Sequence, residues 1–239
     1  MPQTACKVGH ASNNPCSLAA GQLCIIAFYF LLRVGEYTPP RMKNGKRATR
    51  TIQFAVQDVG FWKDEKPLDR NSPLEVLITA DAATLRITNQ KNGKKGQQIH
   101  REALKTQNIT CPVVALAQRV HHILNNGGNE SSLLCDFFVN GKQHHVTSYI
   151  MRKTIKATVT ALNLKEQGIT ANDVGTHSFR AGGAMALKLA GCDDTTIMTM
   201  GRWSGMTFLE YIHTQIGHLS AGITDKMSQH VPFLNVAGF

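Results

Sequence analysis

The stretch from Leu18 to Leu32 constrains this chain more than any other, because nearly every position in it is apolar and only Gly21 and Gln22 interrupt. A surface helix carries its apolar residues on one stripe, whereas a helix apolar on nearly every face must be enclosed by other elements. The unbroken part covers about ten positions, short of the ~20 that a membrane crossing needs, so the enclosure is protein. Asn14-Pro15 supplies a start, with Asn as N-cap and Pro at the first helical position, and Pro39-Pro40 supplies a stop. The sequence therefore predicts one helix to about Tyr37. A secretory signal is not expected, since the run leads into Arg33, Glu36 and Pro39-Pro40 where a small-residue cleavage site would stand.

The enclosing elements follow from period and punctuation. Short runs with β-branched residues, Thr51 to Val59, Leu74 to Thr79, Thr84 to Thr88 and Gln97 to His100, predict a small antiparallel sheet. The last two flank Asn89-Gln90-Lys91-Asn92-Gly93-Lys94-Lys95-Gly96, a basic hairpin tip with glycine where a turn needs it. Helices are expected from Cys111-Pro112 to about Leu124, from near Thr147 to Leu162, from a Thr176 cap to Gly191, from Asp193 or Asp194 to Met200, and from Ser204 through Tyr211. Residues 126 to 146 read as a loop whose Leu133, Leu134, Phe137 and Phe138 pack down. A chain of 239 residues can bury a good core, and no repeat, low-complexity tract or linker divides it. The expected class is mainly α with a small antiparallel β-sheet, an α+β arrangement in one domain.

Lys and Arg number 26 against 16 Asp and Glu, a net charge of +10, so the expected partner is a polyanion, most commonly nucleic acid. Arg41, Lys43, Lys46, Arg47 and Arg50 form a basic segment, predicted to be a loop facing phosphate or solvent, and Lys94 and Lys95 add charge at the hairpin tip. The six cysteines contain no CxxC pair, which argues against a zinc site and a disulfide-dense scaffold and for a reducing, intracellular setting. His121-His122 and His144-His145 read as solvated helix and loop residues, with no Cys or carboxylate at ligand spacing beside them, and no metal is expected.

Chemistry concentrates near the end. In Thr176-His177-Ser178-Phe179-Arg180-Ala181-Gly182-Gly183, positions three apart share a helix face, so His177 and Arg180 are expected side by side near an N-terminus that favours anions. Gly182 and Gly183 each cost a helix roughly 1 kcal/mol, tolerable where a neighbouring backbone comes close. Gly201-Arg202-Trp203-Ser204 follows, and Tyr211 stands eight residues beyond Trp203.

Taken with Leu32-Arg33-Val34-Gly35-Glu36, these boxes resemble the catalytic domain of the tyrosine recombinases, the phage-integrase family. The Gly-Arg-Trp-Ser…Phe-Leu-x-Tyr-Ile wording and the long basic insertion are similar to eukaryotic mobile-element recombinases of the Crypton and DIRS type. The resemblance spans roughly residues 17 to 215. It departs from bacterial and phage members in a longer interval from Arg33 to Lys91 and a spacing from Trp203 to Tyr211 that is shorter by one.

What the resemblance implies is a catalytic set of Arg33, Lys91, His177, Arg180, Trp203 and Tyr211. The arginines would clamp the non-bridging phosphate oxygens, Trp203 would supply an indole N–H and an apolar wall, and His177 would donate to the oxygens or take the phenol proton. Tyr211 would be the nucleophile and Lys91, with Lys94 and Lys95 as alternatives, the acid for the 5′-oxygen. Glu36 would orient the basic groups. The implied activity is site-specific recombination or transposition through a 3′-phosphotyrosine. The implied partners are double-stranded DNA and further copies of the chain in a dimer or tetramer, with the tail 216–239 docking between protomers. Neither a small-molecule cofactor nor a membrane is expected, and there is no phosphate-loop motif or paired acidic cluster for two-metal chemistry. The setting would be the nucleus for a eukaryotic mobile element, otherwise the cytoplasm, on the nucleoid. No core-binding domain is evident before residue 15. Type IB topoisomerase-like relaxation and a catalytically silent DNA-binding descendant are the competing readings.

Overall fold

A computed structural model of the chain describes residues 1–40, 42–43, 46–47, 51–88, 96–205 and 209. It is a mixed α+β structure built around one enclosed helix, α2 (Pro15–Tyr29), in which every residue from Ala19 to Ala27 is buried. Asn14 caps α2 as expected, its side chain accepting from the Cys16 and Ser17 amides. Around it pack α1 (Pro2–Ala11), α5 (Pro112–Asn125), α6 (Ser148–Ala161), α7 (Ser178–Leu189) and strand β7 (Asp136–Val139). Gly21, which broke the apolar run, is a contact point: a Cβ there would lie 2.8 Å from the Ala5 carbonyl oxygen, so α1 crosses at backbone distance. Gln22, also buried, donates to Gln118 Oε1 at 2.9 Å. No helix among the described residues is long and apolar enough to cross a membrane.

The sheet has four strands in the order β4 (Lys66–Leu68), β3 (Val59–Lys63), β5 (Ala82–Arg86) and β6 (Gln98–Glu102), all pairs antiparallel. The expected hairpin of the last two runs is present, with Thr84 opposite His100 and the ladder continuing through Ile87 and Gln97. Three expectations are corrected. Thr51 to Val59 is largely a non-strand segment with a 3₁₀ turn at Val56–Asp58. Leu74 to Thr79 is not a strand but a single turn of helix, α4 (Leu74–Leu77), after Pro73. Residues 126 to 146 are not one loop: Asp136–Val139 and Lys142–His145 (β8) form a second hairpin, turning through Asn140 and Gly141, both at positive φ. The basic segment likewise holds a two-residue ladder, β1 (Met42–Lys43) with β2 (Lys46–Arg47).

The largest correction concerns the central helix. It ends at Tyr29, and a second short helix, α3 (Val34–Tyr37), follows a bend. Leu31 takes a left-handed conformation (φ 52°), and the Leu32 amide reaches back to the Ala27 carbonyl at 2.9 Å, the closure that usually employs glycine. The left-handed conformation costs an ordinary residue about 1–2 kcal/mol, and full burial of a leucine side chain returns about 1.5–3. Leu31 is 1% exposed, so its burial carries the bend. The helix α8 (Asp194–Gly201) ends by the same device, with Arg202 left-handed (φ 60°) and the Trp203 amide on the Met198 carbonyl at 3.0 Å. These two helix ends meet, and the candidate site lies where they do.

Candidate active site

Arg33 stands at the bend as the N-cap of α3, not inside a helix as predicted. Its amide donates to Glu36 Oε2 at 2.8 Å, and its Nη1 lies 3.3 Å from Glu36 Oε1, so one carboxylate fixes both backbone and side chain. Glu36 is 2% exposed and the Arg33 side chain 26% exposed, which leaves the guanidinium a solvent-facing side. That side belongs to a cleft of about 320 Å³ whose walls include Arg33, Gly35, Thr51, Gln53, Ser148 and His177. The fold thus brings Arg33 and His177, far apart in sequence, to one concave surface. Pro40 and Thr51, the neighbours in sequence of the basic segment, also line it.

His177 is the N-cap of α7, one position later than the expected Thr176 cap, and its side chain is exposed. Arg180 does not stand beside it at the surface: it is 2% exposed and does not line the cleft. Its guanidinium donates to the carbonyl oxygens of Leu31 and Gly201 and lies 4.1 Å from the Trp203 ring centroid, a cation–π stack. Trp203 lies flat on Gly201, where an added Cβ would fall 1.5 Å from its Cζ3. Gly183 serves a similar end: a Cβ there would meet the Phe28 carbonyl oxygen at 2.7 Å and Leu31 Cδ2 at 2.4 Å, whereas Gly182 has only an ordinary contact at 3.8 Å. The α7 glycine therefore seats the helix against the end of α2, bringing Arg180 within reach of the bend.

Arg202 was not singled out in the sequence, although it sits inside the Gly-Arg-Trp box. Its Nη2 donates to Glu36 Oε2 at 3.1 Å and to the Leu31 carbonyl at 3.2 Å, and the whole side chain is buried. Burial lowers its pKa from the ordinary arginine value, Glu36 opposes that shift, and Arg33 adds to it. Arg101 lies close by, its Nε donating to the Tyr29 carbonyl at 2.6 Å; burial, and secondarily Arg202, bring its pKa down to about 10. Arg33 and Arg202 thus share the one Glu36 carboxylate, while Arg101 and Arg180 bind backbone carbonyls of the same bend, at Tyr29 and Leu31.

Lys91, Lys94, Lys95 and Tyr211 lie outside the described residues, as do Arg41 and Arg50 and the tail 216–239. Lys43, Lys46 and Arg47 are placed by their backbone strands alone. Of the expected helix from Ser204 to Tyr211, Ser204 and Gly205 form a bend and Leu209 is helical, and the remaining positions lie outside the described residues.

A larger cleft of about 820 Å³ lies on the four-stranded sheet, among Trp62, Asp64, Glu65, Asp81, His100 and Glu102. Its carboxylates repel phosphate, and none of the described predicted catalytic residues, Arg33, His177, Arg180 and Trp203, lines it. The reading of His145 as simply solvated is corrected: its Nδ1 is 2.6 Å from Asp136 Oδ1, and Cys135, Asp136 and His145 place donor atoms within 4.8 Å of one another. Asp136 Oδ2 also accepts from the Leu133 amide at 2.8 Å and Gln143 Nε2 at 2.7 Å, while the buried Arg119 donates to the Asp136 carbonyl. A carboxylate so occupied, with a guanidinium beside it, ties the hairpin together and is poorly suited to a cation. Comparisons with models of known protein families and with curated protein sequences gave no match.

Proposed function

We propose that this chain is a DNA strand transferase acting through Tyr211, the catalytic domain of a tyrosine recombinase working on double-stranded DNA in a dimer or tetramer. The observation that carries the reading is the shared cleft of Arg33 and His177, with Arg180 and Trp203 packed behind the same bend and with Pro40 and Thr51, which flank the basic segment in sequence, among its walls.

In this mechanism the Tyr211 hydroxyl oxygen bonds to a backbone phosphorus as the bond to the 5′-oxygen breaks. The phenol proton passes to His177, and the 5′-oxygen takes a proton from Lys91, with Lys94 and Lys95 as alternative donors. A 3′-phosphotyrosine and a free 5′-hydroxyl result, and attack by another 5′-hydroxyl reverses the steps. Ionising a phenol of pKa near 10 at pH 7 costs about 4 kcal/mol, which a cationic cleft offsets in part. Arginine forks bind the developing charge on the non-bridging oxygens through paired N–H groups. The reading requires Arg180 to exchange the Leu31 and Gly201 carbonyls for phosphate oxygens when DNA enters.

The test is a covalent trap on duplexes with randomised sequence and a nick near the cleavage position, so that the released fragment cannot rejoin. The full chain is expected to become DNA-linked and to report its site preference, while Tyr211→Phe forms no adduct. A Phe variant that still becomes linked would show that another residue is the nucleophile.

A further inference from the structure

We propose that Arg202 is a positioning residue of this site: by neutralising the Glu36 carboxylate from the buried side, it leaves the charge of Arg33 free for an anion in the cleft. Glu36 is shared, with Oε2 3.1 Å from Arg202 Nη2 and Oε1 3.3 Å from Arg33 Nη1. Arg202 and Glu36 are both buried, so their attraction is little screened by solvent, whereas Arg33 is open on its cleft side. Without Arg202 the carboxylate would have Arg33 as its nearest cation and would cancel it. With Arg202 the trio carries a net charge of +1, held on the side that faces the cleft.

Arg202 is expensive for a part with no task. Its Nε and Nη1 are buried without a partner among the described residues, and its backbone is left-handed. Apolar side chains of similar volume often replace a buried ion pair with no loss of stability, and a non-glycine left-handed residue adds strain that functional sites tolerate. Both costs fall on one residue, and that residue joins the bend carrying Arg33 to the helix end carrying Trp203.

The inference takes Arg33 as the phosphate ligand of the proposed reaction, yet the state of Arg33 can be read without DNA. Phenylglyoxal labels accessible guanidinium groups, and labelling of Arg33 in the full chain is followed by peptide mass spectrometry. In Arg202→Met, checked for folding by circular dichroism, Arg33 is expected to label about fivefold more slowly, the factor of an ion pair worth about 1 kcal/mol. Adding Glu36→Gln should restore the wild-type rate. Glu36→Gln alone should change it less than about twofold, because Arg202 has already satisfied the carboxylate.

An unchanged rate in folded Arg202→Met would overturn the proposal, as would failure of the double variant to recover. If Arg202→Met does not fold, a fivefold acceleration in Glu36→Gln alone overturns it, since Glu36 would then have been holding Arg33 all along. The nicked duplex separates the two claims. If wild type forms no adduct while the labelling pattern holds, the strand-transfer reading fails and the positioning of Arg33 stands. If adduct yield follows the labelling rates across the variants, both hold.

Discussion

Arg119 in α5 and Arg202 at the end of α8 are both buried arginines, at 1% and 2% exposure, and they solve the burial of a charge in opposite ways. Arg119 Nε donates to the Leu134 carbonyl at 3.2 Å, Nη1 to Gln22 Oε1 at 3.5 Å and Nη2 to the Asp136 carbonyl. Each nitrogen has a partner, and those partners come from the central helix and from Leu134 and Asp136, where the chain enters the second hairpin. Arg202 engages one nitrogen, with a carboxylate and a carbonyl, and leaves two without partners among the described residues. A fully satisfied network fixes a unique packing, whereas a partly satisfied one is costly unless something else is gained. Arg119 reads as architecture and Arg202 as part of a site.

The sharpest way to break that contrast is to remove each charge. Arg119→Met strands the Leu134 and Asp136 carbonyls in the interior, and each orphaned buried group costs about 1–3 kcal/mol, so a loss on the order of 3 kcal/mol is expected. Urea unfolding measures it. The paired change Arg202→Met with Glu36→Gln removes both members of an ion pair and should cost about 1 kcal/mol or less. If the double change at the bend proves the more damaging, the division into architecture and site is reversed.

Gly201→Ala tests the bend without touching a charge. The new Cβ cannot coexist with the Trp203 ring as placed, so the indole must move off its seat beside Arg180. Overpacking of this kind costs about 1–3 kcal/mol. In a Trp62→Phe background the remaining tryptophan reports its own displacement, expected as a red-shifted emission. If the emission is unchanged and stability is lost, strain has gone into α8, and Trp203 does not depend on Gly201.

How much of this was legible in the sequence depended on whether the determining force was local. Asn14, Thr147 and Asp193, the last one of two candidates, carry their capping chemistry in their own side chains, and the elements they start begin where the pattern placed them. The β5–β6 pairing was likewise readable from two short β-branched runs flanking a glycine-bearing basic stretch of sequence. The break after Tyr29 was not, because Leu31 and Arg202 take a conformation normally signalled by glycine or asparagine and are held there by burial and by each other. The Leu74–Leu77 turn was misread because Val76 and Ile78 look like a strand when the run is too short for helical period to show. At the candidate site, the boxes singled out Arg33, His177, Arg180 and Trp203, but gave no sign that Arg180 turns inward. Direction is set by the Leu31 and Gly201 carbonyls, supplied from two distant parts of the chain.

The mildest prediction extends the comparison to pH. His122 follows Arg119 by one turn, and its Nε2 accepts from the Phe138 amide at 3.4 Å, a role open only to the neutral ring. Burial first, then Arg119 and His121, bring its pKa down to about 4. Between pH 4 and 6.5 the unfolded chain therefore binds a proton that the native chain refuses, so this contribution to stability is complete above pH 6.5 and is lost as pH falls towards 4. Allowing for the partial solvation of the ring, acidification from pH 7 to 5 should cost about 1 kcal/mol through this group. His122→Gln should remove that part of the slope in urea unfolding. In Arg119→Met the slope should be shallower, because one of the charges opposing protonation has gone. An unchanged slope there would mean that the hairpin's cover alone sets the histidine, and that the influence of Arg119 ends at the carbonyls it binds.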